Sequence, residues 1–123
     1  MLYSAPQTIQ NFLEGFIVPV YDENTVPEGA TYPRITYAYS EDEFDRPVVI
    51  PVSLWDRSYS WTRVTALAGS IRNAIPPGGL LIPYENGRIW LKRGTPFEQR
   101  MGDDDDAIRR IYINLEAEYI SVE

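Results

Sequence analysis

The sequence predicts an α+β fold with a mostly antiparallel or mixed sheet of about five strands, two helices on one face and a long C-terminal β-hairpin. From Arg109 to Ser121 no Gly or Pro interrupts an alternation of apolar and polar residues, which is typical of a strand with one buried face. Two other segments space their apolar residues as amphipathic helices do. The predicted strands follow one another at hairpin distances, which favours antiparallel pairing.

The first element is predicted to be a short helix. Ser4 followed by Pro6 is a typical helix start, and the helix is expected to end near Gly15. Its apolar positions fall at i, i+3, i+4 and i+7: Ile9, Phe12, Leu13 and Phe16. The segment from Val18 to Tyr32 contains two prolines, a glycine and several acidic residues, so we interpret it as a surface loop.

Two strands are expected next, paired as a hairpin. Arg34 to Ser40 alternates apolar and polar residues, Glu41 to Pro47 forms an acidic turn, and Val48 to Trp55 alternates again. Pro51 has no amide donor, which suggests an edge position or a bulge in the second strand.

The second helix is predicted to begin at a cap formed by Ser58 or Ser60. The turn Pro76-Pro77-Gly78-Gly79 ends it. Its apolar residues lie at helical spacing: Trp61, Val64, Leu67, Ala68, Ile71 and Ile75.

The last third of the chain is predicted to be strands joined by tight turns. Asn86-Gly87 is a strong hairpin signal between the strands Leu80 to Tyr84 and Arg88 to Arg93. Gly94-Thr95-Pro96 is expected to break or bend the path before Phe97 to Met101. After an acidic turn at Gly102 to Asp106, the strand from Arg109 to Ser121 would span roughly 40 Å at about 3.3 Å per residue.

Composition limits the classes of function. At 123 residues the chain is expected to be a single domain, residues 1–123. A net charge of −7 argues against a nucleic-acid-binding surface. The lack of Cys removes a thiolate nucleophile and Cys-based metal sites, and the lack of His removes the commonest general base and the commonest transition-metal ligand. No signal-peptide pattern and no long apolar run is found, so we expect a soluble, unsecreted protein without a membrane span.

Asp103 to Asp106 is the obvious candidate for a metal site. An EF-hand loop starting at Asp103 would need an oxygen ligand at its fifth position, Gly at its sixth and Glu at its twelfth, where this chain has Ala107, Ile108 and Asn114. That motif therefore fails. The four carboxylates either hold a divalent ion weakly or form a solvated turn closed by two arginines, and no cofactor or metal is expected.

Glu116 and Glu118 are the candidate acid–base pair, since they share one strand face about 7 Å apart, within the range of paired glycosidase carboxylates. Any outward strand face gives that spacing, so a solvated or interface face is the preferred interpretation.

Charge is distributed unevenly along the chain. The stretch from Asp22 to Asp45 is acidic, and most of the basic residues lie in the last third. Such asymmetry fits either a head-to-tail contact between like subunits or ordinary cross-strand pairing inside one subunit.

Four stretches together resemble the small tail terminator, or tail-completion, proteins of long-tailed bacteriophages and prophages, also called minor capsid or head–tail joining proteins. The stretches are YPRITYAYSEDEFDRPVVIPVSLWDRSYSW, the helix that begins near Trp61, GRIWLKRGTPFEQRM and DDDDAIRRIYINLEAEY. The resemblance covers nearly the whole chain after Thr31. It rests on the order of elements and on short strings such as ITY, SLWDRS, WLKRGTPF and RRIYIN.

The resemblance implies a non-enzymatic virion protein that forms a ring, with six the expected number of subunits, on the end of the tail tube. The ring ends tube polymerisation and joins the head. The implied partners are other copies of the chain, the major tail tube protein and a head-completion or connector protein, while DNA passes through unread. The implied location is the head-proximal end of the tail, and the bacterial host cytoplasm during assembly.

The hairpin from Phe97 to Tyr119 and the loop from Glu41 to Arg46 are the expected contact elements, because they are long, charged and exposed. The candidate interface residues are Glu41, Asp42, Glu43, Asp45, Arg46, Arg100, Asp103, Asp104, Asp105, Asp106, Arg109 and Arg110. Two alternatives stay open at this point: a head-completion or connector adaptor of the same virion, and a small carboxylate-dependent enzyme or ligand-binding domain.

Overall fold

The computed structural model describes residues 2–41 and 46–121. The elements in chain order are α1 (Ala5–Glu14), β1 (Val20–Asp22), β2 (Arg34–Tyr37), β3 (Val48–Arg57), α2 (Thr62–Ala74), β4 (Leu80–Tyr84), β5 (Gly87–Met101) and β6 (Ile108–Ser121). The predicted α+β class and the long hairpin, β5 with β6, are confirmed.

The strands form one sheet in the order β1-β2-β3-β6-β5-β4, in which β1 and β2 are parallel and the other neighbours are antiparallel. The sheet is therefore mixed and has six strands where about five were expected. The additional strand is β1, which lies in the segment predicted to be a surface loop. Its three residues are too few to produce a period, although Val20 is buried opposite Ile35.

Both helices pack on the same face of the sheet. α1 contributes Ile9 and Leu13, and α2 contributes Val64 and Ile71, to one cluster of buried apolar side chains. The strands contribute alternate residues that the register places side by side: Ile50, Val52, Leu54, Ile89, Leu91, Ile111, Ile113, Leu115 and Ala117. The prediction that every second residue of the last strand faces a core is therefore confirmed.

The start of α1 follows the expected capping chemistry, whereas that of α2 does not. The Ser4 hydroxyl accepts a hydrogen bond from the Gln7 amide at 3.3 Å, as an N-cap residue does. The N-cap position of α2 is Trp61, which makes no side-chain cap, so the prediction of Ser58 or Ser60 as the cap was wrong. Ser60 lies one residue earlier, and its hydroxyl accepts from the amide of Thr62, the first residue of the helix, at 3.1 Å. Neither helix of the described residues is long and apolar enough to cross a membrane.

Pro51 is not at an edge of the sheet and does not form a bulge, so that prediction was wrong. It lies in β3 opposite Asn114, within unbroken pairing to β6. The Ala38 amide donates to the Pro51 carbonyl at 3.1 Å, so the side of Pro51 that lacks a donor faces the chain just after β2 ends. The proline therefore removes a bond only where pairing with β2 is already ending.

The predicted interruption at Gly94-Thr95-Pro96 is a bulge within β5. The register with β6 shifts between Arg93 and Glu98, and the Thr95-Pro96 peptide bond is cis. The strand regains its pairing at Glu98 and continues to Met101. The hairpin formed by β4 and β5 has Glu85 and Asn86 as its turn residues, and Gly87 is the first residue of β5.

Candidate subunit interface

The face of the sheet opposite α1 and α2 is covered by no helix of the described residues, and we call it the open face. Val49, Leu81 and Met101 are large apolar residues on it with 53%, 52% and 37% of their surface exposed. The strand register places the following residues on this face as well: Thr36, Ser53, Trp55, Arg88, Trp90, Lys92, Arg110, Tyr112, Asn114, Glu116 and Glu118. Such a mixture of apolar, aromatic and charged side chains is typical of a surface that contacts another protein.

The candidate acid–base pair lies in the middle of the open face. Lys92 places its ammonium 3.8 Å from Glu116 and 3.5 Å from Glu118, and 4.2 Å from the centre of the Trp90 ring. The two carboxylates thus share one cation across the β5–β6 pair. This is the cross-strand pairing that the sequence left open as an explanation of the charge pattern.

A basic–aromatic cluster, Tyr32, Arg34, Trp55, Arg57 and Arg110, occupies the end of the open face beside the β5–β6 turn. The guanidinium carbons of Arg34 and Arg57 lie 4.3 and 5.1 Å from the centre of the Tyr32 ring, and that of Arg110 lies 4.6 Å from the Trp55 ring. Stacking of this kind orients a guanidinium while its N–H donors stay available at the edge.

Hydrogen bonds fix the same side chains. Arg110 donates to the Ser53 hydroxyl at 3.0 Å, and the Trp55 indole donates to Thr36 at 2.9 Å. Arg34 donates to the carbonyl of Ala30 at 2.9 Å. A shallow concavity of about 300 Å³ lies at this cluster, and its wall also includes Glu23, Asn24 and Val26.

Of the three cluster arginines, Arg57 has an acidic partner. It lies 3.4 Å from Asp105. Within the described ranges 2–41 and 46–121, Arg34 and Arg110 form no ion pair, and the Arg34 Nε is buried without a hydrogen-bond acceptor. Glu23 lines the same concavity, but among the described residues it forms no ion pair with either arginine. Two positive charges at this end of the open face are therefore held in place without an ion-paired carboxylate.

The acidic turn, Asp103 to Asp106, is organised by its own side chains. Asp103 accepts a hydrogen bond from the amide of Asp105, and Asp105 accepts one from the amide of Ala107, both at 2.9 Å. The Ala107 amide holds the pKa of the Asp105 carboxyl below its usual value, and Arg57 adds to this effect. Among the residues that the structure describes, no group of three or more acidic side chains is placed to hold a metal ion.

The two arginines that close the turn contact their own chain. Arg109 donates to the carbonyls of Asp106 at 2.8 Å and Tyr59 at 3.1 Å, and its guanidinium lies 5.5 Å from the Trp61 ring. Arg110 belongs to the basic–aromatic cluster. Both are partly buried. Their expected role toward a neighbouring subunit stays a prediction.

The acidic turn of the expected hairpin and the expected loop lie at opposite ends of the sheet, although Tyr119, at the other end of the hairpin, contacts Ser40 beside the loop. β3 begins opposite Ala117 and ends opposite Ile108, so the loop that contains the exposed Glu41 and Arg46 is remote from the acidic turn. Asp42, Glu43 and Asp45 lie outside the described residues. Arg100 is exposed on the helix side of β5, with its guanidinium 4.7 Å from the Trp61 ring.

The sequence prediction did not include Arg34, Trp55 or Arg57 among the candidate interface residues. The alternation of SLWDR does place Trp55 and Arg57 on the outward face of a strand. What the pattern could not supply is the register, which sets Arg34 and Arg110 on either side of Trp55. Those two residues are 76 positions apart in the chain.

The chain shares its fold with chains of known structure. A chain from a structure named "Virion of native gene transfer agent (GTA) particle" matches with a TM-score of 0.56 at 17% identity, covering 92% of this chain and 89% of that one. A second solved structure, whose name states no activity, matches with a TM-score of 0.62 at 15% identity over 95% and 92% of the two chains. No protein-family model and no curated protein matches the sequence.

Proposed function

We propose that this protein is a structural component of a phage-like virion, and that its subunits form a ring that caps the tail tube. The observation that carries the proposal is the match to a chain of a gene transfer agent virion over nearly the full length of both chains. The sequence strings that resemble tail terminators, from ITY to RRIYIN, support the more specific role at the tail.

The open face and the long hairpin support assembly. A contact between two different surfaces of like subunits produces a closed ring when the rotation between neighbours closes. The acidic turn and the basic–aromatic cluster, which adjoin each other through the Arg57–Asp105 ion pair, are two such surfaces of opposite charge. The proposed partners are other copies of the chain, the tube protein on one side of the ring and a connector protein on the other.

Catalysis receives no support from the candidate acid–base pair. Glu116 and Glu118 share Lys92 in the middle of a sheet face, and they are not in the concavity at its end. DNA is expected to pass through the ring without specific binding, because the net charge of −7 repels phosphates.

Electron microscopy of tails assembled with and without this protein tests the proposal. We expect tubes of one defined length with the protein, and tubes that are over-long and variable without it. Tubes of the same length in both samples would refute the terminator role. Tubes of normal length that fail to attach heads would instead assign the protein to the head-completion or connector step.

A mass measurement tests the ring itself. A six-membered ring would weigh about 85 kDa, six times the 14.1 kDa of one chain. Light scattering should detect this species either in free solution or after addition of tube ends. A protein that stays at the mass of one chain in both conditions would contradict the ring.

A further inference from the structure

Two guanidinium groups on the open face have no carboxylate at ion-pair distance among the described residues, and Glu23, which lines the same concavity, pairs with neither. Arg57 is paired with Asp105, whereas Arg34 and Arg110 form no ion pair in the part of the chain that the structure describes. The Arg34 Nε is also buried without an acceptor. Uncompensated charge that is partly removed from water favours the approach of an anion.

The cluster is positioned in advance for such an anion. Arg110 is held by the Trp55 ring and the Ser53 hydroxyl, and Arg34 by the Tyr32 ring and the Ala30 carbonyl. Little side-chain freedom is therefore left to lose on binding. A carboxylate matches the planar fork of a guanidinium, and the concavity of about 300 Å³ has room for one or two acidic side chains.

The acidic turn presents matching carboxylates on every copy of the chain. Asp103 and Asp105 make the hydrogen bonds that shape the turn. Asp104 and Asp106 are exposed and form no ion pair within the described residues. The turn is thus an anionic loop shaped by its own hydrogen bonds, with the carboxylates of Asp104 and Asp106 exposed to contact another molecule.

We propose that the basic–aromatic cluster is a receptor for the acidic turn of a second copy of this chain, with Arg34 and Arg110 binding the carboxylates of Asp104 and Asp106. This inference rests on the ring assembly in the proposed function and names its contact. A second copy is favoured over nucleic acid as the source of the anion. The net charge of −7 repels a polyanion at long range, whereas the hydrogen-bonded acidic turn is present once per subunit.

The contact is head-to-tail, since each copy would give its turn to one neighbour and its receptor to the other. Contacts of this kind propagate around a ring until it closes. If one chain has lost the turn and another has lost the receptor, a single productive contact is left between them. Such a mixture should stop at a pair.

The experiment mixes two full-length variants. Asp104→Asn/Asp106→Asn removes the free carboxylates and keeps the receptor, while Arg34→Gln disables the receptor and keeps the turn. Each alone should stay at 14.1 kDa, and the 1:1 mixture should form a complex of about 28 kDa that grows no further. NMR with the turn variant labelled, at roughly 0.5 mM, detects contacts with dissociation constants as weak as about 1 mM. The Trp55 indole signal should shift on addition of the partner.

The matched control adds an unlabelled chain that carries all three substitutions, which lacks both the turn and the receptor. Its dissociation constant from the labelled chain should be at least about ten-fold higher. The proposal is wrong if the complementary mixture forms no complex, if the control mixture forms an equal one, or if the complex grows beyond a pair.

A folding defect in the receptor variant would not leave the question open. Arg110→Gln replaces Arg34→Gln in the same scheme, and a normal amide spectrum is required of whichever variant is used.

The outcome of the mixing experiment is also separate from that of the tail-length test. Tails that still depend on this protein while the mixture stays monomeric would remove the turn–receptor contact and leave the terminator role standing.

Discussion

Single side chains fasten the bulge of β5 to the rest of the fold. Arg93, the last residue before the register shift, donates to the carbonyls of Ile75 at 2.7 Å and Arg72 at 3.0 Å, which lie at the end of α2. The Arg72 carbonyl also accepts from the Ile75 amide at 3.1 Å, so the arginine adds a second donor to it and reaches the Ile75 carbonyl just beyond the helix. On the other side of the bulge, Asn114 donates to the Pro96 carbonyl at 2.8 Å.

Gly94 is required by this close approach. A Cβ at Gly94 would lie 2.7 Å from the Asn114 Cβ and 2.8 Å from its carbonyl oxygen. We expect Gly94→Ala to lower the free energy of unfolding by about 1–3 kcal/mol, because the backbone of β6 would have to shift. Urea denaturation followed by circular dichroism measures the change.

Gly102→Ala is the matched control, since a Cβ at Gly102, in the β5–β6 connection, meets nothing within 4 Å. Its stability should stay within about 0.5 kcal/mol of the parent chain. Equal stabilities for the two variants would show that the bulge does not need a glycine.

At the scale of elements, α2 is tied to the sheet at both ends. At its start, Arg63 donates to both carboxylate oxygens of Asp56, with its Nε at 2.9 Å, and Asp56 is fully buried. Near its end, Arg72 forms an ion pair with Glu98. The helix that covers β3, β5 and β6 is therefore fixed by polar contacts outside its apolar stripe.

The Asp56–Arg63 pair should respond unequally to the loss of either partner. Asp56→Ala leaves an arginine that water can solvate, so we expect a loss of about 1.5–3 kcal/mol in the free energy of unfolding, the usual contribution of a charge-assisted hydrogen bond. Arg63→Ala leaves a carboxylate buried without its partner, and should destabilise more. Urea denaturation of both variants gives the order.

Arg57→Ala provides the comparison, because its ion pair with Asp105 is half exposed on both sides and should contribute little. An Arg63 variant that is as stable as the Asp56 variant would mean that the buried carboxylate finds another donor.

The sequence revealed those elements whose period is long enough to detect. Alternation over the 14 residues of β6 and helical spacing in α1 and α2 predicted the fold class and the core. A strand of three residues, β1, has no such period, and the chain direction that makes it parallel to β2 is a tertiary property. The basic–aromatic cluster was not predicted because it also depends on tertiary structure. Arg34 and Arg110 come close to each other only through the pairing of β2, β3 and β6.

At the scale of the whole molecule, tyrosines close the core at the end of the sheet remote from the acidic turn. Tyr84 and Tyr119 pack edge to face with ring centres 6.1 Å apart, and the Tyr119 hydroxyl donates to the Ser40 carbonyl at 2.8 Å. Burial is the main cause that raises the pKa of Tyr39, Tyr84 and Tyr119 above the ordinary value of 10. The same cause raises the pKa of Tyr37 beside α1.

Alkaline pH should therefore unfold the protein through these tyrosines. A tyrosine whose pKa is raised in the folded state holds its proton at a pH where the unfolded chain releases it, so its stabilising contribution is complete below pH 10 and is lost as the pH rises toward the folded pKa. We expect the free energy of unfolding to be flat from pH 8 to about 9.5 and to fall above pH 10. Urea titrations at fixed pH values measure this curve. Absorbance at 295 nm should show part of the tyrosinate signal appearing together with unfolding.

Tyr119→Phe, which cannot ionise, is the matched variant, and its stability should decline less steeply above pH 10 than that of the parent chain. Parallel declines would mean that the buried Tyr119 hydroxyl does not couple ionisation to folding.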